Sequence, residues 1–135
     1  MISIDEEYCR ICGNGCAELH HIVYRSQSVS IKNCKLNHIY LCPEHHRGKF
    51  GVHSKNGYKL NIQIKLEMQQ NIELLLDKQY FTWQEIQNIF MISEKATDTL
   101  CKTIKQYRGT FAREDILRAT MGRLITEEEV KELNE

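Results

Sequence analysis

Proline is nearly missing from this 135-residue chain, with Pro43 the single example, so no proline-rich linker divides it. Net charge is missing as well: eighteen Lys and Arg stand against eighteen Asp and Glu. The chain therefore exerts no overall electrostatic pull on a polyanion. No apolar run is long enough to cross a bilayer, and no internal repeat or low-complexity tract is present. The segment from Met1 to Tyr8 is short and acidic, unlike a signal peptide. Without export, disulfides are not expected, and the six cysteines point to metal binding instead. What remains is ordinary globular composition, 41% apolar and 27% charged, enough for one domain or two small ones.

Charge and imidazole are unevenly placed. Arg47, Lys49, Lys55, Lys59 and Lys65 form a run without an acid until Glu67, while Glu127, Glu128, Glu129, Glu132 and Glu135 crowd the end. A basic middle and an acidic tail are compatible with DNA binding and equally with solvated faces. All six histidines fall between Glu18 and His53.

Cys9-Arg-Ile-Cys12-Gly13 places two thiols two residues apart before a glycine that can turn the chain back. Cys42-Pro-Glu-His45 repeats the gap. Together Cys9, Cys12, Cys42 and His45 make a tetrahedral set for a structural Zn²⁺, three thiolates and one imidazole. Cys16 and Cys34 are spare. Leu19 to Tyr24 suits a short strand, His38 to Leu41 a second, and the polar SQSVSIKN between them a loop. Two strands and a following helix would form a ββα unit too small to stay folded without its metal.

The order CxxC, His20-His21-Ile22, Asn37, LCPEHH and His53 resembles the HNH endonucleases and their ββα-metal fold, over about the first half of the chain. The likeness implies a phosphodiester hydrolase acting on DNA. By resemblance His21 is the general base, and His20, His46 and His53 are ligands of a catalytic divalent ion such as Mg²⁺, Mn²⁺ or Ni²⁺. Asn37 braces the loop that holds His21. His45 replaces the commoner cysteine, which leaves open which of His45 and His46 serves which metal. His38 lies outside the pattern and is expected to be a plain strand or surface residue. Arg47, Lys49 and Lys55 could grip phosphates flanking the cut. Gly48, Gly51 and Gly57 allow either close backbone approach to a ligand or simple turns.

Leu60 to Gln79 alternates like a strand yet also lines Leu60, Ile64, Met68, Ile72 and Leu75 along one helical face; its composition favours a helix. Thr82 with Glu85 forms a capping box before Ile86, Ile89 and Phe90, and Ser93 caps a second helix carrying Ala96, Leu100 and Ile104. A wing turning at Gly109 precedes a third helix, and Thr126 with Glu129 caps a short acidic one. This pattern resembles the helix-turn-helix domains of excisionase-like proteins, with Met91 where glycine is frequent. The resemblance implies that Lys95, Thr97, Asp98, Thr99 and Lys102 face a major groove. Arg108 and Arg113 would then contact backbone.

The expected architecture is α+β: a zinc-braced nuclease unit over residues 1–60, a bridging helix over 61–79, and an all-helical, helix-turn-helix-like domain over 80–135. The expected partner is DNA, with no membrane association. The nuclease likeness suggests a phage- or prophage-encoded homing-type nicking enzyme in a bacterial cytoplasm. The competing expectation is a non-catalytic, zinc-binding DNA-binding accessory protein.

Overall fold

The computed structural model describes residues 8–135; the acidic start noted above lies mostly outside them. The chain is α+β and about half helical. No helix among the described residues is long and apolar enough to cross a membrane.

Strand β1 (Glu18–His21) pairs antiparallel with β2 (His38–Leu41), setting His20 opposite Ile39 and His21 opposite His38. Successive side chains on a strand point to opposite faces. Here His20 is buried while His21 keeps a partly open edge. Between the strands lie two single 3₁₀ turns, Val29–Ile31 and Lys35–Asn37. Helix α1 (Pro43–Arg47) starts on the lone proline, whose missing N–H costs nothing at a first helical turn, and ends before Gly48.

Helix α2 (Tyr58–Leu75) settles the ambiguous segment as helical. Ile64, Met68 and Ile72 are buried as their spacing implied, and Ile62 and Gln69 bury a second stripe. Leu75 is 43% exposed, at the helix end. A helix buried on two sides lies between packed layers rather than on a surface.

Beyond it, β3 (Tyr80–Thr82) leads into α3 (Trp83–Phe90) and α4 (Glu94–Lys102). The Thr82–Glu85 capping box and the Ser93 cap both form. Met91 between the helices takes a left-handed backbone with φ 51°, which accounts for the frequency of glycine at such a corner. Strands β4 (Gln106–Tyr107) and β5 (Thr110–Ala112) follow, then α5 (Arg113–Met121) and α6 (Glu127–Leu133). Arg108 and Gly109 both have positive φ, giving the two-residue hairpin turn that matches strand twist.

One expectation needs correction: the C-terminal part is not all-helical, since β3, β5 and β4 form a three-stranded sheet with β5 central. The β4–β5 hairpin is the wing expected at Gly109, while the short β3 was hidden beside the Thr82 cap. One apolar cluster runs from Cys9 and Ile22 through Ile64 and Met68 to Phe81, Phe90 and Leu117. Helix α4 packs on the 3₁₀ turn Val29–Ile31, and the buried Cys34 thiol donates to the Phe90 carbonyl at 3.1 Å.

Candidate metal centres

Cys9, Cys12, Cys42 and His45 come together, their ligand atoms all within 4.8 Å of one another. The Cys12 and Cys42 sulfurs are 3.7 Å apart, and His45 Nδ1 stands 3.6 Å from Cys9 Sγ and 3.2 Å from Cys42 Sγ. Tetrahedral zinc with bonds of about 2.3 Å to sulfur and about 2.0 Å to nitrogen would separate sulfurs by about 3.8 Å. Sulfur and nitrogen would stand about 3.5 Å apart. The cluster fits a structural metal such as zinc. Burial raises the Cys9 thiol, but backbone N–H groups at Cys42, Cys12 and Ile11 together outweigh it and hold Cys9 near 6. For Cys12 the Asn14 N–H lowers the thiol, whereas desolvation and the Cys42 and Cys9 sulfurs together raise it. A cation would relieve that mutual opposition. Cys16 and Cys34 take no part in the cluster.

A second cluster joins His20, His46 and His53. Their ring centroids lie 5.1 Å (His20–His46), 5.0 Å (His20–His53) and 4.6 Å (His46–His53) apart. The His46 and His53 Nε2 atoms are 3.0 Å apart. His53 reaches His46 although six residues intervene, because the loop folds back onto α1. Val52 N donates to His45 O at 2.9 Å, and His53 N to His46 O at 3.2 Å. Gly51 and Gly57 allow this approach; a Cβ on Gly57 would overlap the Gly51 carbonyl. These glycines thus serve backbone against backbone.

His20 is 2% exposed, and its Nε2 has no hydrogen-bond partner among the described residues. Such an orphaned group costs roughly 1–3 kcal/mol, and an ion shared with His46 and His53 would remove the deficit. Burial first, then the charges of His53, His46, His21 and Lys65, push the His20 ring down to about 3. It is neutral, as a ligand must be.

Glu18, two residues before His20 and on the same strand face, was not foreseen as a site residue. Its carboxylate accepts from His46 Nδ1 at 2.8 Å and from Arg47 Nε and Nη2 at 3.0 and 2.6 Å. A proton held on Nδ1 leaves the His46 Nε2 lone pair for an ion. The Tyr24 hydroxyl lies 3.3 Å from His53 Nδ1, and the two rings stack.

His21 stands outside this cluster, its ring 5.0 Å from His38 at 82°. His38 is a half-buried strand residue on β2, as expected; it faces His21 across the sheet and contacts the Lys32 carbonyl at 2.8 Å. Desolvation, then His38 and Lys32, lower the His21 ring, against a raising backbone contact at Lys32. Asn37 is fully buried. Its Oδ1 accepts from Val23 N at 2.6 Å, its Nδ2 donates to Val23 O at 3.0 Å, and its own carbonyl accepts from Ile22 N. It clamps the two residues after His21.

The expected DNA contacts divide. Lys49, Lys55, Lys95, Lys102 and Arg108 are exposed. Arg47 is engaged by Glu18. Thr97 is fully buried and donates to Ser93 O at 2.8 Å, so it cannot reach a major groove. Thr99 is half-buried and donates to Lys95 O. Asp98 accepts from Trp83 Nε1. Arg113 donates to the Leu76 and Glu73 carbonyls at 2.7 and 2.9 Å, tying down the end of α2 rather than contacting backbone phosphate. A cleft of about 680 Å³ runs between residues 25–30 and the side of α4 with the wing; no histidine lines it.

No family model, curated protein or solved structure matches this chain.

Proposed function

We propose that the protein is a metal-dependent endonuclease of the HNH type that hydrolyses DNA phosphodiester bonds. The observation that carries this reading is the convergence of His20, His46 and His53, apart from the sulfur cluster, around a buried ring nitrogen with no partner. A structural zinc needs only the first cluster. Three converging imidazoles, one with a buried nitrogen that lacks a partner among the described residues, suit a second, exchangeable ion.

A divalent ion such as Mg²⁺, Mn²⁺ or Ni²⁺ held there would stabilise negative charge on the phosphate and the departing 3′ oxygen. His21 accepts a proton from the attacking water, a role suited to a ring kept neutral by its surroundings. The water oxygen bonds to phosphorus, the bond to the 3′ oxygen breaks, and that oxygen takes a proton from solvent. Asn37 holds the chain beside His21, and Glu18 keeps His46 turned toward the site. The exposed cations of α4 and the wing would bind the duplex. The sequence resemblance favours a phage- or prophage-encoded nicking enzyme working in a bacterial cytoplasm.

The experiment is supercoiled plasmid incubated with wild-type or His21→Ala protein and Mg²⁺, Mn²⁺, Ni²⁺ or chelator. Metal-dependent nicking should fall by about 10²–10⁴-fold in the variant. Intact plasmid under every condition overturns the reading. A non-catalytic zinc-binding accessory, favoured by the helix pair α3–α4 with its wing, predicts one bound metal and no change in a His20→Ala/His46→Ala double variant. The nuclease reading predicts loss of a second, weaker site.

A further inference from the structure

Lys65 lies on α2, outside the strands and helix that carry the histidines. Its ammonium stands 5.5 Å from the centroid of the Tyr24 ring. That ring stacks on His53, with centroids 6.0 Å apart and planes inclined by 23°, and lies edge-on to His20 at 6.2 Å. Lysine and tyrosine therefore adjoin the three-histidine cluster, in which His20 is itself buried. Lys65 is half-buried, and it forms no ion pair among the described residues. The neighbouring cation Arg123, in contrast, is held by both oxygens of Glu129 at 2.7 and 2.9 Å.

The Glu129 carboxylate that acts on Lys65 is already taken by Arg123, so this partly desolvated ammonium, beside a site that would hold an anionic strand, is free to take a further anion. We infer that Lys65 binds the phosphate next to the one that is cut, with the exposed Tyr24 ring against the intervening sugar or base. This rests on the nuclease reading of the three-histidine site. Lys65 contacts Tyr24, and Tyr24 in turn contacts His53 and His20, so one ring separates the ammonium from the three-histidine site. That offset fits a neighbouring phosphate better than the phosphate at the ion. Tyr24 is 37% exposed, so part of its ring is open to a sugar of the bound strand.

The test uses the whole chain, zinc-loaded, made catalytically silent by His21→Ala. Binding of a short DNA duplex is followed by fluorescence anisotropy across a KCl series, with and without Lys65→Met. The slope of log Kobs against log[KCl] should become shallower by about 0.9, the loss of one phosphate contact. Lys65→Arg should keep the slope. In otherwise wild-type protein, Lys65→Met should raise KM roughly tenfold and leave kcat nearly unchanged. A purely structural lysine would lower the Tm of the Met variant and leave the slope alone. An unchanged slope, with metal-dependent nicking by the wild type intact, overturns this inference and spares the nuclease reading. Wild-type protein that neither nicks nor binds DNA overturns both.

Discussion

Glu18 illustrates how single atoms decide the chemistry of the histidine cluster. An imidazole offers an ion one lone pair, and the proton on its other nitrogen determines which. The Glu18 carboxylate, held below the ordinary carboxylate range by His46 first and then by Arg47, fixes that proton on His46 Nδ1. Removing such an outer partner typically weakens metal affinity by 10–100-fold. Glu18→Ala should therefore weaken Co²⁺ or Ni²⁺ binding at the second site by that order, read by titration of the visible absorption. The zinc content at the sulfur cluster should stay unchanged. Equal loss at both sites would show that Glu18 merely supports the fold. His20, His21, His46, Asn37 and the sulfur cluster were legible as candidates because they stand in spaced motifs. Glu18 was not, because a carboxylate two residues before a histidine pair carries no signal until α1 is seen to lie over β1.

Element by element, capping chemistry was the most readable feature. Thr82, Ser93 and Thr126 each accept from the backbone N–H three residues on. A side-chain cap is a local event that needs no tertiary information. Arg113 shows the opposite case. Beside a wing it suggested phosphate contact, yet its guanidinium reaches back to the last carbonyls of α2. Hydrogen bonds from a charged donor contribute about 1.5–3 kcal/mol. Arg113→Ala should lower stability by about that amount in urea denaturation and leave DNA binding almost unaltered. A variant of full stability with impaired DNA binding would restore the first assignment. Thr97 makes the same point: on a helix drawn in isolation it shares a face with recognition residues, but packing buries it completely.

On the scale of the whole molecule, the shared apolar cluster ties the metal-bearing unit to the helical part. Helix α2 buries residues on two sides, and α4 rests on the 3₁₀ turn Val29–Ile31. Elements that share a core unfold together. Calorimetry should show one transition with calorimetric and van't Hoff enthalpies in agreement. Stripping the metal should move that transition down by on the order of 10 °C, since a structural zinc contributes at least several kcal/mol. Two resolved transitions, one insensitive to chelator, would show that the parts are independent after all. The contact also narrows what α4 can offer to DNA. Thr99 is half-buried beside the gap against Val29 and Lys32, so the open side of the helix is the one carrying Lys95, Asp98 and Lys102.

Residue order alone was enough for the parts whose information is local: two ligand pairs of equal gap, a histidine pair on a strand, helix caps, a turn at Gly109. Spacing and residue type suffice there, because the interacting groups are at most a few residues apart or repeat a known ligand gap. Long-range packing was needed to divide His45 and His46 between two clusters, to fold His53 back onto His46, and to set His38 against His21. It also placed Lys65 beside Tyr24 and ran one apolar cluster through the three expected segments. Each of these depends on contacts between residues distant in the chain, and those are set by packing rather than by any local pattern.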